Sequence, residues 1–547
     1  MSFRTLYALG LSLAFFTAPS HAQEAEAPAE GDKAEEAKKT ADEEEEEETD
    51  AAPSASGSAG LKASTDSGAQ VSTGTSAAAP EVAEVTSGES NVPQRPPVYG
   101  KRSDWFIEPY GYARMDAIGD STQSFEDGIQ PNLIARAGTY RGDHQRITFT
   151  ARDSRFGIYI AAPELHGVKT HAQLELDFFG LAPTDARRHD VAVFGPLRLR
   201  HAFFKMETSV IDVVAGQTFS VFGWNGSYYP ASAAFLGVPG QLYHRDPQVR
   251  LEKTIDAGSV EIVAAAAAVR PGQRDSGVPD VQGGLKIAFN GWTGASMQGF
   301  GRPSVAPLSI GVSGMYRWFE VPAFRPEPAS EALTTTGYGI AAQALIPVIP
   351  ASTIEDRGNA LTLTGEFSTG TGIADMYTGM DGGSRFPLLP NPNMAQPALI
   401  YQANVDPGLV TIDRNWDVAP INWRAFVAGL QYYLPIGGGR VWLAGIYSRI
   451  WSDNIKELTP APSWGGVFTK MEYIDGTLGV DITPALVFGL SFQTVKQTFG
   501  DVSAPTPIYG TIANFMGPLG IPTVEGTGGV QASARNNRGQ LTMAFFF

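Results

Sequence analysis

Basic side chains at alternate positions are the feature of this sequence best suited to chemistry. They fall in stretches where polar and apolar residues alternate, and each lies on the polar face. Arginine is always charged and can hold a carboxylate or phosphate through two parallel hydrogen bonds. The set consists of Arg114, Arg155, Arg198, Arg200, Arg250, Lys286 and Arg317. This pattern predicts a surface that binds anions.

Acidic side chains on the same faces allow a second interpretation. They are Glu108, Asp116, Glu175, Asp177 and Glu252. An arginine beside a carboxylate can simply neutralise it and stabilise the surface on which both lie. The sequence leaves open how many of the basic residues bind anions and how many only neutralise the neighbouring carboxylates.

Residue patterns for enzymatic or metal chemistry are missing. The chain has no cysteine, which excludes a thiolate nucleophile and a cysteine-bound metal. Its six histidines after residue 22 follow no HExxH spacing, and no G-x-S-x-G motif occurs. Asp375 and Asp381-Gly-Gly383 faintly resemble a calcium loop, although a solvated turn is the simpler interpretation. We predict no enzyme, no catalytic residue, no metal and no cofactor.

The first 99 residues have the composition of export and spacer segments. Residues 1–22 combine a basic start, an apolar run and the ending Ser20-His21-Ala22, which predicts a secretory signal peptide. Residues 23–99 hold 18 acidic and 5 basic side chains and few apolar ones. Such a segment cannot offset its ordering entropy, so we expect a disordered acidic segment, located in the periplasm.

Residues 100–547 carry 39 acidic and 34 basic side chains and are nearly balanced in charge. The net charge of the whole chain, -17, argues against nucleic-acid binding, which needs a basic face. No apolar run reaches the 18 or more residues of a membrane-spanning helix. Hydrophobicity instead alternates with period two, which predicts strands with one polar and one apolar face.

Sixteen stretches follow this alternation. They are 105–118, 145–160, 168–180, 196–207, 209–219, 245–255, 258–270, 280–290, 307–320, 335–347, 358–369, 421–434, 440–451, 471–482, 485–498 and 537–547. Tight turns and long connections alternate between them, which is typical of an outer-membrane β-barrel with short periplasmic turns and long external loops. The gap at 290–306 is longer than this rule expects.

A closed barrel explains how a membrane protein can be this polar. In hydrocarbon every backbone N–H and C=O group needs an internal partner, which only helices or a closed sheet supply. One face of each strand then meets lipid and the other meets water. We therefore predict an all-β fold, a transmembrane antiparallel barrel of 16 strands over 100–547. A set of tryptophans near strand ends suits interfacial girdles: Trp105, Trp318, Trp423, Trp442 and Trp451.

The last strand is the most specific local feature. Leu541, Met543, Phe545 and Phe547 alternate with polar residues up to the end of the chain. A final strand that ends in phenylalanine resembles the C-terminal signal of outer-membrane barrels, which implies recognition by the barrel-assembly machinery.

Five motifs extend the resemblance to a family. They are YGYARMDA (110–117), TARDSRFG (150–157), QLELDFFG (173–180), LRLRHA (197–202) and AGQTFS (215–220). The series resembles the first third of trimeric bacterial porins, and most closely the DcaP-like outer-membrane porins. The acidic N-terminal tract departs from the helical or coiled-coil arm of part of that family, and the external segments near 370–420 and 499–536 are enlarged.

The resemblance implies a homotrimer in which the third external loop, at about 219–245, folds into the lumen. That loop would form a constriction, and it holds no acidic residue before Asp246. Its aromatic residues either line the constriction or pack the loop onto the barrel wall. They are Trp224, Tyr228, Tyr229, Phe235 and Tyr243.

Two functions follow. The first is an outer-membrane porin for passive diffusion of small hydrophilic solutes, with anionic carboxylates among them. The alternative is an envelope anchor or adhesin that acts through its acidic segment or external loops. The expected partners are outer-membrane lipid and lipopolysaccharide, two further copies of the chain, the barrel-assembly machinery and small permeating solutes.

Overall fold

The computed structural model describes residues 105–129, 133–180, 196–234, 237–324, 331–378, 380, 387, 389, 404–459, 467–500 and 531–547. The expectations for 1–22 and 23–99 lie outside these residues. Within the described part the helical segments are short: α1 (Tyr140–Asp143), α2 (Ile455–Leu458) and a 3-10 turn (Ala374–Met376). No helix in these ranges has the length and apolar character to cross a bilayer.

Strands make up most of the described chain. They are β1 (Phe106–Asp120), β2 (Arg146–Thr150), β3 (Arg155–Ala161), β4 (Lys169–Asp177), β5 (Arg198–Glu207), β6 (Asp212–Phe219), β7 (Arg245–Asp256), β8 (Val260–Val269), β9 (Asp280–Ser296), β10 (Ser304–Pro322), β11 (Ala332–Ile349), β12 (Leu361–Thr371), β13 (Val410–Ile412), β14 (Val418–Pro420), β15 (Asn422–Tyr433), β16 (Val441–Trp451), β17 (Phe468–Asp481), β18 (Leu486–Phe499) and β19 (Ser533–Phe546).

Seventeen of these strands form one antiparallel sheet that closes on itself. Because β2 and β3 both pair with β1, they are two parts of one barrel strand, interrupted at 151–154. The barrel therefore has sixteen strands, as predicted. β1 pairs with β19 from Tyr112↔Phe546 to Asp120↔Arg538, which joins the first and last strands. This closure pairs the backbone groups that hydrocarbon could not satisfy.

Side-chain alternation gives the barrel an apolar outer face and a polar inner face. On β19, Met543 and Phe545 are 46% and 52% exposed on the outside. Gln540, Thr542 and Ala544, at the alternate positions of the same strand, are at most 1% exposed on the inside. The same arrangement recurs around the sheet, so the barrel has an apolar outer surface suited to contact with acyl chains and a polar inner surface.

The predicted strands match the observed ones closely. Nearly all predicted ends lie within four residues of the observed ends, but β9 continues to Ser296 instead of ending at 290. β10 begins at Ser304, so the unexpectedly long gap shrinks to a turn over 297–303. The hairpin β13–β14 was not predicted and forms a separate sheet.

The connections between strands differ at the two ends of the barrel, most of them being short at one end and long at the other. At one end are 162–168, 208–211, 257–259, 297–303, 350–360, 434–440 and 482–485. At the other end the strands are joined through 121–145, 178–197, 220–244, 270–279, 323–331, 372–421, 452–467 and 500–532, several of which include residues outside the described ranges. We call these the short-turn end and the long-loop end.

The prediction of an interfacial tryptophan girdle is wrong in part. Trp105 and Trp318 lie on the outer face, at 52% and 37% exposure. Trp423 and Trp442, in contrast, are fully buried on the inner face. Each finds a partner there for its indole N–H: the carbonyl of residue 408 for Trp423 and the carboxylate of Asp481 for Trp442, both at 3.2 Å. A satisfied N–H allows the ring to be buried.

A buried ion pair holds the closing seam near the long-loop end. Arg538 Nε donates to Asp120 Oδ1 at 2.8 Å and Arg538 Nη2 donates to Asp120 Oδ2 at 2.9 Å. Asn536 donates to the same carboxylate at 2.8 Å. Both charged side chains are at most 1% exposed.

Replacing this arginine tests the seam. We expect Arg538→Met to lower the free energy of unfolding by about 2 kcal/mol, because the buried Asp120 carboxylate loses two charged hydrogen bonds and keeps Asn536 and Arg146 as its donors. Urea unfolding of the barrel in detergent measures the change. The control is Arg424→Met, whose ion pair with Asp453 is about half exposed and should contribute less than about 1 kcal/mol. Equal effects of the two substitutions would contradict this account of the seam.

Candidate functional site

The loop between β6 and β7, residues 220–244, is called the third loop here, and its described residues, 220–234 and 237–244, lie inside the barrel. Its first part is held against two strands of the wall. Phe222 N donates to Gln282 Oε1 on β9 at 3.0 Å, and Gly223 N donates to Ser313 Oγ on β10 at 2.8 Å. Both acceptors lie on the polar inner face, so the alternation of the strands positions them for the loop.

The third loop then reaches the other side of the lumen. Ser232 Oγ donates to Asp475 on β17 at 2.6 Å, and Ser448 on β16 donates to a carbonyl of the loop at 2.5 Å. Leu242 N donates to Glu366 on β12 at 2.7 Å. These anchors fix the loop at several points around the wall and divide the interior of the barrel.

The aromatic residues of the loop divide into two groups. Trp224 and Tyr228 are at most 5% exposed and pack the loop onto β9 and β10. Gly311 provides the space for both rings, since a Cβ there would lie 2.8 Å from Trp224 and 3.1 Å from Tyr228. Tyr229 and Tyr243 are half-buried and line a cavity. Phe235 lies outside the described residues.

A second long loop, 372–421 between β12 and β15, also contributes to the interior. Its first residues pair with the third loop, where Tyr243 N donates to Met376 O at 3.0 Å. Arg317 on β10 fixes this segment, because Nη1 donates to Asp375 Oδ1 at 2.7 Å. Asp375 is therefore a buried ion-pair partner and not part of a solvated turn. The other half of that expectation, Asp381-Gly-Gly383, lies outside the described residues.

The hydroxyl group of Tyr243 lies between two arginines. Arg200 Nη2 on β5 donates to it at 3.0 Å, and Arg245 Nη1 at the start of β7 donates to it at 2.8 Å. Arg245 also lies over the Tyr243 ring, 5.0 Å from its centre. The phenol oxygen is thus the acceptor for two positive groups.

Two more arginines and two carboxylates complete this cluster. Glu175 Oε1 accepts from Arg200 at 2.6 Å and lies 3.5 Å from Arg155 Nε. Asp177 accepts from Arg198 at 2.6 Å and from Arg200 at 2.9 Å. Each carboxylate is shared between two guanidinium groups, so the arginines outnumber the carboxylates and the cluster keeps a positive surplus.

This surplus changes the acidity of the loop tyrosines. Burial would raise the pKa of Tyr243, but the charges of Arg200 and Arg245 outweigh burial and lower this pKa to about 7. Burial and the neighbouring Tyr243 raise the pKa of Tyr229 well above its ordinary value. Tyr243 is therefore the phenol that loses its proton first.

A cavity of about 130 Å³ lies between the wall of β1 and β3–β6, the third loop, the turn 297–303 and the chain end. Its charged lining is mostly basic. The lining contains Arg114, Arg155, Arg200, Arg302, Asp153 and Glu175. Four guanidinium groups therefore face two carboxylates around this space.

The remaining predicted basic residues of the inner face lie outside the cluster around Tyr243, although Arg114 lines the cavity. Arg114 is paired with two carboxylates of the wall at 2.7 and 2.8 Å. Arg250 Nε is 3.6 Å from Glu252, and Lys286 Nζ is 5.8 Å from the centre of the Trp224 ring. The structure thus brings Arg155, Arg198 and Arg200 together near Tyr243, whereas Arg114, Arg250, Lys286 and Arg317 have their contacts at other points of the wall.

Sequence reasoning missed two basic residues of the site. Alternation along β7 assigns Arg245 to the outer face, because its even-numbered neighbours point inward. At the strand end the side chain turns to the loop instead. Arg302 belongs to the turn 297–303, for which the only signal was the length of the gap. Within the described ranges, no group of three or more His, Asp or Glu side chains could hold a metal ion.

No protein-family model matches this chain, and no curated protein matches its sequence. Among solved structures it is similar to the outer membrane channel DcaP of Acinetobacter baumannii, with a TM-score of 0.53 and 16% identity over 81% of this chain and 97% of that chain. For the anion-selective porin from Comamonas acidovorans the TM-score is 0.45, with 12% identity over 81% of this chain and all of that chain. At 16% identity the likeness to the DcaP channel concerns architecture, and together with the closed sheet of sixteen strands it shows that the chain has the β-barrel fold of that outer-membrane channel.

Proposed function

We propose that this protein is a porin of the outer membrane that lets small hydrophilic solutes diffuse through its lumen and favours anions, small carboxylates among them. The observation that carries the proposal is the cavity between the third loop and the wall, with its surplus of guanidinium groups. The fold supports a water-filled interior, because a sixteen-stranded barrel is too wide for its own side chains to fill.

The preference for anions rests on how the charges are shared. Rings of Arg or Lys attract anions in pores, whereas arginines that are fully neutralised only stabilise the wall. Around Tyr243, the two carboxylates of Glu175 and Asp177 are each divided between two guanidinium groups. Arg245 has no carboxylate among its described contacts. A passing carboxylate meets a net positive field at this point.

The alternative, an anchor or adhesin, requires no ion flow. It would act through the acidic segment, which lies outside the described residues, or through the external loops. Stepwise conductance in a planar bilayer separates the two functions, because a barrel that serves only as an anchor needs no conducting path.

Charge selectivity is the first test of the proposal. Under a salt gradient we expect a reversal potential with the sign of chloride selectivity. One unit charge acting through about 7 Å of water contributes about 0.6 kcal/mol, so Arg245→Gln should weaken the attraction of anions roughly threefold. Arg424→Gln, outside the lumen, is the matched control and should leave the potential unchanged. Clear cation selectivity of the native channel would refute the proposed preference.

Selectivity should also depend on pH. Below its pKa of about 7, Tyr243 is a neutral phenol and the surplus of positive charge is intact. Above that pH the phenolate adds one negative charge, so anion preference should fall as pH rises from 6 to about 8. Reversal potentials at each pH measure this. Tyr243→Phe keeps the ring and removes the titrating group; if it showed the same pH profile as the native chain, Tyr243 would not be responsible.

We further propose that the channel is a homotrimer in the outer membrane, with its short-turn end and N-terminal segment in the periplasm. The apolar outer face supports contact with lipid, and the final strand supports recognition by the barrel-assembly machinery. Light scattering of the purified protein in detergent should give three times the protein mass of one chain. A mass of one chain would contradict the trimer without affecting the channel.

A further inference from the structure

The turn between β9 and β10, residues 297–303, does more than connect two strands; we call it the inner turn. It joins two of the longest strands, of 17 and 19 residues, and folds back into the barrel. Met297 N donates to Gln431 on β15 at 3.0 Å. Phe300 lies 6.1 Å from Trp442 on β16, measured between ring centres.

The inner turn crosses the lumen. In the order of the sheet, β9 and β10 lie opposite β1 and β19. Phe300 nevertheless reaches that side, because Arg114 on β1 is 5.3 Å from the centre of its ring. It also covers Gly489 on β18, where a Cβ would lie 2.4 Å from the ring. The glycine therefore leaves the space that the ring occupies.

The inner turn meets the third loop, which enters from the long-loop end. Gly299 N donates to Pro230 O at 3.1 Å, and Ser232 N donates to Gly299 O at 3.1 Å. Gly299 has a φ of +58°, a conformation that glycine adopts without strain. Two segments from opposite ends of the barrel are thus hydrogen-bonded to each other inside it.

The inner turn also faces the cavity. Residues 298–302 all contribute to its lining, opposite the arginines of β3 and β5. Arg302 is half-buried and lies 5.2 Å from the ring of Phe546 at the end of the chain. The third loop and the inner turn therefore border the same space.

We propose that the inner turn is a second constriction of the channel, which sets the size limit of the passage together with the third loop. This rests on the proposed porin function. The third loop narrows the lumen from the long-loop end, and the inner turn narrows it from the short-turn end. Phe300 determines how far the turn extends across the lumen, and Arg302 presents a positive group to the solute.

Trimming the turn should widen the channel. We expect Phe300→Ala to increase single-channel conductance and to move the exclusion limit for polyethylene glycols toward longer polymers. The matched control is Ile436→Ala in the turn 434–440, at the same end of the barrel, where the side chain is 63% exposed. This control should behave as the native channel does.

A labelling experiment is independent of any enlargement. The chain has no cysteine, so a single introduced thiol is the only site for a thiol reagent. We expect a negatively charged methanethiosulfonate to reduce the conductance of Arg302→Cys and to leave that of Ile436→Cys unchanged. The resistance of each barrel to unfolding in SDS before heating shows whether the variant is folded.

The outcomes are distinguishable. If the folded Phe300→Ala channel conducts as the native one does, or if labelled Arg302→Cys conducts as before labelling, the inner turn is no constriction and the porin function stands. If Phe300→Ala does not fold, the labelling result alone decides. If the native protein forms no channels in bilayers, the proposed function itself fails, whatever the variants do.

Discussion

Hydrocarbon offers no hydrogen-bond partner to a peptide group, and the whole architecture follows from this constraint. A strand that crosses the membrane must find both neighbours within the protein, so the sheet can end only by meeting its own beginning. Pairing of β1 with β19 meets this requirement. Once the ring is closed, alternation assigns every second side chain to the lipid and collects the polar ones in the interior.

The polar interior is what allows long segments to fold inside it. A loop placed in an apolar core would carry unsatisfied N–H and C=O groups, which cost free energy. Here the wall supplies acceptors and donors such as Gln282, Ser448 and Glu366, and the third loop binds to each of them. The second long loop and the inner turn are held in the same way, through Arg317 and Gln431. The shape of the interior is therefore fixed by hydrogen bonds between the barrel wall and the segments that fold into it.

Alternation is a local signal, and for this reason the sixteen strands and the closing strand could be predicted from the sequence. Contacts between distant segments leave no such trace. Arg317 and Asp375 are 58 positions apart, and neither residue type identifies the other as its partner. Trp423 lies on an inner face that is apolar, with Ala425 and Val427, because the second long loop packs against it. There the usual distinction between faces is lost, so a girdle position could not be told from a buried one.

The site was predictable in part for the same reason. Arg198 and Arg200 lie on the polar face of β5, where polar and apolar residues alternate clearly, so alternation identified both. Arg245 stands where a strand ends and the rule no longer applies. The inner turn had one signal in the sequence, a gap at 290–306 that is longer than expected for a short turn. The gap is long because the turn crosses the lumen.

The seam has a consequence for biogenesis. Thr542 Oγ1 donates to Asp116 at 2.5 Å, although 426 positions separate the two residues. Pairing of β19 with β1 thus completes the barrel, and until the two strands pair, one edge of β1 has no partner strand. Pairing between strands this far apart in the sequence forms slowly, because the entropic cost of closing the long intervening chain comes before the contacts that compensate it.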